Sequence, residues 1–237
     1  MKHNFLFDLD MTLLDFHATE KKALEIVVRA NGLEYSEATY THFKAYNKSL
    51  WQKLEKGDIT RLRLFSMRFS DVISRCGGDL TKMDPLEINS EFINTMAQNG
   101  IPMDGAIPFL QRLRSEIPDA GIYIVSNGAT VNAEGRVKST GMDRYIDRMF
   151  ISEELGVTKP AVEFFDICLS EIGATKESCI VIGDSLSSDM LGAKNAGLKS
   201  VWFMPEGDIE NAVKEYDIDY TASTFDELFG ILKEWAR

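Results

Sequence analysis

From about residue 100 onward the chain alternates short apolar runs with helical patterns, and that alternation limits its fold more than any other feature. Ile122 to Ser126, Arg148 to Ile151, Cys179 to Gly183 and Ser200 to Met204 read as strands bounded by turn residues. Around them, Pro108 to Glu116, Val131 to Thr140, Val162 to Ile172 and Asp189 to Ala196 carry apolar residues at helical spacing. Gly173 and Gly197 close the last two helices, and a short strand near Tyr220 precedes a final helix opened by the capping-box pattern Ser223-Thr-Phe-Asp226. Strands that are apolar throughout and alternate with helices predict an α/β fold with a parallel, doubly wound sheet covered on both faces. Ligands of such sheets bind in the crevice outside the carboxyl ends of the strands.

One strand stands apart from this series. Asn4 to Leu9 is a buried-strand pattern that runs into Asp8 and Asp10, with Thr12 close behind. Residues 18–99 then show helical periodicity only. Ala23, Leu24, Val27 and Val28 mark a first helix that stops at Gly32. Ser36 caps a second helix carrying Tyr40, Phe43, Leu50, Trp51 and Leu54, and Thr60 precedes a third with Leu64, Phe65, Val72 and Ile73. Asp84-Pro85 is an N-cap with a first-turn proline, leading to Ile88, Phe92 and Met96 and a stop at Gly100. The expected organisation is therefore an α/β core formed by residues 1–17 and 100–237, with a helical subdomain of residues 18–99 inserted after the first strand.

Charge narrows the partners. With 26 basic and 37 acidic residues the net charge is −11, which argues against a nucleic-acid polymer or an anionic membrane as partner. An anionic substrate would need a local positive site strong enough to overcome that field. Cys76, Cys168 and Cys179 are too few and too scattered for a disulfide framework or a zinc site, and Cys168 and Cys179 fall in apolar patterns of the core. His3, His17 and His42 lack metal-ligand spacing. Asp8 and Asp10 interrupt the first apolar run, so it does not read as a signal peptide, and no run reaches transmembrane length. A reducing cytoplasm and a monomer or weak homodimer are the expectations.

Four polar groups follow the ends of expected core strands or the loops just after them: Asp8/Asp10/Thr12, Ser126-Asn127-Gly128, Lys159-Pro160, and Gly183-Asp184-Ser-Leu-Ser-Ser-Asp189. Each alone reads as a turn, a solvated loop or a helix cap. In this order they resemble the four motifs of the haloacid dehalogenase superfamily, a Rossmann-like fold, and the helical block lies where that superfamily inserts its first-type cap. The stretches Ile151-Ser-Glu-Glu-Leu-Gly-Val-Thr-Lys-Pro160 and Asp189-Met-Leu-Gly-Ala-Lys-Asn-Ala-Gly197 extend the likeness.

The resemblance implies a Mg²⁺-dependent phosphomonoester hydrolase. Asp8 would be the nucleophile that forms an aspartyl-phosphate, dividing a slow hydrolysis into two easier steps. Asp10 would protonate the leaving group and then act as base for the attacking water. Mg²⁺ would be held by the Asp8 carboxylate, the Asp10 backbone carbonyl and Asp184, with Asp189 behind them orienting Lys159 or a water. Ser126, Asn127 and Lys159 would hold the phosphoryl oxygens, and Thr12 would support the loop carrying the two aspartates and the phosphate site. Asp10 also separates the relatives, since the dehalogenases of the superfamily lack it. Dehalogenation and a phosphate-responsive interaction protein are accordingly remote alternatives. Tyr46-Asn-Lys-Ser-Leu-Trp51, Gly57-Asp-Ile-Thr60 and Arg68-Phe69 resemble the cap of bacterial pyrimidine 5′-nucleotidases. That likeness makes Phe16, His17, Asn47, Trp51 and Arg61 candidates for substrate choice. It favours small nucleoside monophosphates, with sugar phosphates or another small phosphometabolite, handled by a phosphatase or mutase, as the alternative.

Overall fold

The computed structural model describes residues 2–204 and 207–237. The chain divides into two compact units, Met1–Phe16 with Gly100–Arg237, and His17–Asn99. The first junction falls one residue before the expected boundary.

In chain order the elements begin with β1 (Asn4–Phe7), α1 (Phe16–Ala30), α2 (Glu37–Glu55), α3 (Arg61–Arg75), α4 (Pro85–Gln98) and α5 (Ala106–Glu116). There follow β2 (Gly121–Ser126), α6 (Thr130–Thr140), β3 (Arg148–Ile151), α7 (Ser152–Leu155) and α8 (Val162–Ile172). The chain ends with β4 (Cys179–Gly183), α9 (Leu191–Ala196), β5 (Lys199–Phe203), α10 (Ile209–Tyr216), β6 (Tyr220–Ala222) and α11 (Phe225–Trp235). The strands form one sheet in the order β3-β2-β1-β4-β5-β6, and every neighbouring pair is parallel.

β1 is central because it has no polar face. All of its residues are buried, and Asn4, the only polar one, is satisfied by donating from Nδ2 to the Ser178 carbonyl at 3.2 Å. The strand order reverses at β1, so the switch-point crevice opens where β1 and β4 end. Alternate residues divide between the two faces of the sheet, as strand pleating requires. Phe5, Phe7, Ile122, Ile124, Ile180 and Ile182 pack with α5 and α11 residues such as Phe109, Leu110, Leu228 and Leu232. Leu6, Val125, Phe150 and Val181 pack on the other side with Phe164, Phe165 and Ala193 from α8 and α9. The free cysteines Cys76, Cys168 and Cys179 are all buried.

Two local expectations shift. The last helix is capped by Thr224, whose side chain accepts from Glu227 N at 3.2 Å, while Glu227 Oε2 accepts from Ser223 N at 2.8 Å. The cap lies one residue later than expected and is not a reciprocal box, because Glu227 reaches Ser223 N instead of the N–H of Thr224, and Asp226 pairs with Arg112 at 3.0 Å. Asp189 does not open its helix either. It lies inside a wide π-type turn over Leu186–Met190 that precedes α9 and is capped by Ser185. α10 has no counterpart among the expected elements, although Ile209, Ala212, Val213 and Tyr216 fall at helical spacing.

In the His17–Asn99 unit the anticipated caps form. Ser36 and Thr39 make a reciprocal capping box, Thr60 accepts from Arg63 N, and Asp84 accepts from Leu86 N. Phe43, Phe69 and Phe92 form its aromatic centre, with ring centroids 5.3–5.9 Å apart. Beside it runs a buried polar chain. Arg68 donates from Nε at 2.9 Å and Nη2 at 2.6 Å to Asn89 Oδ1, and from Nη1 at 3.3 Å to Asn47 Oδ1. Asn47 in turn donates to Glu20 Oε1 at 3.2 Å. Burial pushes the Glu20 carboxyl up while Arg68 opposes the shift, and burial pulls the Arg68 guanidinium down to about 10. Among the described residues no helix is long and apolar enough to cross a membrane.

Removing one member of such a buried charge system costs more than removing both. Arg68→Leu, which leaves Glu20 buried without its cation, should destabilise the protein by about 3 kcal/mol in urea unfolding. The Glu20→Gln/Arg68→Leu double variant should recover part of that loss.

Candidate active site

Three strand ends meet at one ammonium group. Lys159, 3% exposed, donates from Nζ to Asp8 Oδ1 at 2.6 Å, to Asp189 Oδ1 at 2.6 Å and to the Val125 carbonyl at 2.7 Å. Those partners follow β1, follow β4 and lie within β2, so one buried cation ties together segments distant in sequence. An ammonium has three protons, and all three are used. Burial works against the charge on Lys159, but the two carboxylates outweigh it and push its pKa up.

Asp8 continues the β1 ladder by donating its N–H to the Ile182 carbonyl at 2.7 Å. The chain then turns sharply. Met11 has a left-handed backbone (φ 62°), a conformation costing a non-glycine residue about 1–3 kcal/mol. Backbone hydrogen bonds from Leu13 and Leu14 to Leu9 O and from Met11 to Leu14 O hold the turn closed. Asp189, fully buried, completes its pairing by accepting from Ser185 N at 3.1 Å. Its close approach to β4 requires glycine at 183, because a methyl group there would overlap the Asp189 side chain.

Asp8, Asp184 and Asp189 each present a carboxylate oxygen within 4.8 Å of the others. Three carboxylates against the single Lys159 ammonium leave two formal negative charges in a largely buried space. The protein alone does not stabilise them. Burial pushes Asp8 well up, Lys159 opposing and Asp189 and Asp10 adding to the shift. Burial likewise pushes Asp184 up to about 6, with Asp189 adding to it. Hard oxygen donors carrying a surplus of two charges suit a hard divalent cation. Both Asp189 oxygens already have protein donors, so Asp8 and Asp184 are the carboxylates with capacity to spare.

Asp10 is held differently. Arg136 on α6 grips both of its oxygens, Nη1 donating to Oδ1 and Nη2 donating to Oδ2 at 3.0 Å. Periodicity alone did not find Arg136. The one available signal was a charged residue beside Ala133 and Val137 on the buried stripe of a short helix.

The remaining expected residues fall in varied places. Ser126 ends β2, is 2% exposed, and accepts from Gly128 N at 3.2 Å, leaving its own hydroxyl proton available. Asn127 is exposed, and its side chain braces the backbone of Lys159, donating to its carbonyl at 2.9 Å and accepting from its N–H at 2.8 Å. Thr12 is fully buried, and its hydroxyl has no hydrogen-bond partner among the described residues. Its side chain lies in the interior of the turn. Asn47 is also interior, joined to Glu20 and Arg68, which corrects its expected part in substrate choice. Phe16 lies 5.7 Å from the Arg136 guanidinium, His17 accepts from Tyr40 through its carbonyl at 3.0 Å, Trp51 is half-buried and Arg61 is exposed at the start of α3.

The family model for haloacid dehalogenase-like hydrolases matches residues 3–197. The pyrimidine 5′-nucleotidase PynA of Streptococcus pneumoniae is 35% identical over 201 residues, covering 84% of this chain and 83% of PynA. The pyrimidine 5′-nucleotidase YjjG of Escherichia coli is 33% identical over 215 residues, covering 87% of this chain and 91% of YjjG. The crystal structure of YfnB from Bacillus subtilis, a HAD-hydrolase bound to magnesium, superposes with a TM-score of 0.81 at 28% identity, covering 98% of each chain. The chain belongs to the haloacid dehalogenase-like hydrolase family and is an enzyme among its phosphatases.

Proposed function

We propose that the protein is a Mg²⁺-dependent phosphomonoesterase that works through an aspartyl-phosphate on Asp8, most readily a 5′-nucleotidase for small pyrimidine-type nucleoside monophosphates. The observation that carries the chemistry is the Asp8–Lys159–Asp189 cluster with Asp184 beside it, a site built with two surplus negative charges at the end of a central strand. The substrate class is supported by the two nucleotidases that the chain resembles over most of its length.

Asp8, Asp184 and the Asp10 backbone carbonyl would hold the cation. When bound, it would supply positive charge against the phosphoryl oxygens and allow a dianion into an acidic protein. An Asp8 carboxylate oxygen attacks phosphorus, and the bond to the leaving oxygen breaks as Asp10 gives that oxygen a proton. Lys159 has no idle proton, so it meets the phosphoryl group by exchanging its bond to Asp8 for one to a phosphoryl oxygen as Asp8 is consumed. Asp189 and Val125 hold the ammonium in place through that exchange. Ser126 donates its free hydroxyl proton to the same group. The Asn127 side chain acts one step back, keeping the Lys159 backbone where this exchange is possible.

The helical unit is the proposed selector of the substrate, with His17, Trp51 and Arg61 as candidates within it and Phe16 as a candidate at the junction before it. Sugar or triose phosphates are the second reading, since a glyceraldehyde 3-phosphate phosphatase of Pyrococcus furiosus is 28% identical over 241 residues. Three free cysteines accord with action in a reducing cytoplasm.

Phosphate release from an aryl phosphate should stop in excess chelator and return with Mg²⁺. Asp8→Asn should fall below about 10⁻³ of the wild-type rate, as expected for loss of a nucleophile. Retained turnover in either case would exclude the mechanism.

Asp184 gives a pH signature in the metal-free protein. Its folded-state pKa lies above its ordinary value, so it contributes most below about pH 4 and that contribution is lost as pH rises through about 6. Asp184→Asn removes the penalty. In chelator its melting temperature should match wild type near pH 4 and exceed it above about pH 6. Mg²⁺ should raise the wild-type midpoint and leave the variant unmoved.

A kcat/KM panel of nucleoside monophosphates, hexose phosphates and triose phosphates addresses substrate class. Pyrimidine nucleotides should lead by at least about tenfold, equivalent to roughly 1.4 kcal/mol of transition-state discrimination. A profile led by sugar phosphates would favour the second reading.

A further inference from the structure

Arg136 occupies a place where the helix calls for an apolar side chain, with 2% of its side chain exposed between Ala133 and Val137. A buried guanidinium is costly unless its donors are paired. Its outer nitrogens both go to Asp10, and Nε reaches the Asn132 carbonyl at 3.4 Å. A two-pronged pair of this kind fixes the plane of a carboxylate as well as its position, which a lysine cannot do.

Holding the turn is not what this pair is for. The turn from Leu9 to Leu14 is already closed by three backbone hydrogen bonds. What those bonds leave free is the Asp10 side chain. Asp10 is 31% exposed while Arg136 is shut away, so the pair presents one face to the crevice and anchors the other in the core. Each carboxylate oxygen has about two acceptor directions, and the fork takes one on each, leaving Asp10 able to receive a proton from a further donor.

Arg136 is itself fixed at its backbone. Gly100 lies so close that a Cβ there would come within 2.5 Å of Arg136 O and 3.0 Å of its Cα. Ser139 Oγ accepts from Gly100 N at 3.0 Å and donates to Arg136 O at 2.9 Å.

We propose that Arg136 is the positioning residue for Asp10, orienting its carboxylate to take the proton from the water that hydrolyses the phosphoenzyme. The inference rests on the aspartyl-phosphate reading above. In that step the water oxygen bonds to phosphorus as the bond from phosphorus to the Asp8 oxygen breaks. One water proton passes to Asp10, Asp8 is restored as a carboxylate, and inorganic phosphate departs. With a leaving group such as p-nitrophenolate, which departs without a proton, loss of the fork slows this second step more than the first.

The test is pre-steady-state turnover of p-nitrophenyl phosphate with Mg²⁺ by wild type, Arg136→Lys and Gly100→Ala. Arg136→Lys should lower steady-state kcat by about 10²-fold and lower KM with it, while a burst of p-nitrophenol approaches one equivalent per enzyme. Gly100→Ala keeps the arginine but presses on its backbone, and should give the same burst with a smaller fall in kcat. It also serves if Arg136→Lys does not fold. On an Asp10→Asn background, Arg136→Lys should add less than about threefold, since the arginine acts only through Asp10. Wild-type kcat in Arg136→Lys, a fall in kcat without a burst, or additive loss on the Asp10→Asn background would each overturn the proposal. A wild-type protein inert toward p-nitrophenyl phosphate and all nucleoside monophosphates would instead overturn the phosphatase reading, and this inference with it.

Discussion

The buried ammonium of Lys159 is the interaction on which the site depends. It is nearly inaccessible, yet it satisfies an aspartate after β1, a carbonyl in β2 and an aspartate in the turn after β4. The sheet order makes this possible, because β1 lies between β2 and β4 and all three end on the same side. Parallel strands deliver their carboxyl ends together, so groups far apart in sequence arrive within hydrogen-bonding reach. The same order explains why the surplus charge collects there. Three acidic side chains at neighbouring strand ends exceed what one lysine neutralises. A site that is unbalanced by itself is matched to a charged guest.

The two aspartates of the opening motif are treated in opposite ways. Asp8 faces a flexible cation that can trade partners during a reaction. Asp10 faces a rigid, planar one that cannot easily do so without breaking two hydrogen bonds at once. This division of labour fits the proposed roles, since a nucleophile would have to move onto phosphorus while an acid–base group would gain from a fixed aim.

How much of this was legible in the sequence depended on whether a feature leaves a periodic mark. The strands after residue 120 were readable because burial on both faces forces uninterrupted apolar runs. The helix caps of the His17–Asn99 unit were readable because Ser36, Thr60 and Asp84 act within three residues of themselves. Asp8, Ser126 and Asp184 stood out as polar residues at or just past strand ends, and Lys159 as one in the loop beyond α7. What remained hidden depended on partners distant in the chain. Arg136 and Asp10 are separated by 126 positions, and nothing local to either announces the other. Asn47 looked like a polar residue available to a ligand, but its amide is occupied within its own unit by Glu20 and Arg68. Asn127 was placed correctly at a strand end, yet its side chain serves the Lys159 backbone 32 residues away.

The central position of β1 also bears on how the chain acquires its structure. Its residues pair with β2 and β4, so Asn4 meets Gly121 on one side and Cys179 on the other. At synthesis rates of about 5–20 residues per second, that first partner emerges roughly 6–25 s after β1 does. During that interval an apolar strand with two open edges has no sheet to join, which is the condition under which nascent chains aggregate or engage chaperones. The intervening helices, whose contacts are local, can form in the meantime. The insertion that follows β1 therefore sets a delay in the assembly of the sheet as well as adding a second unit to the protein.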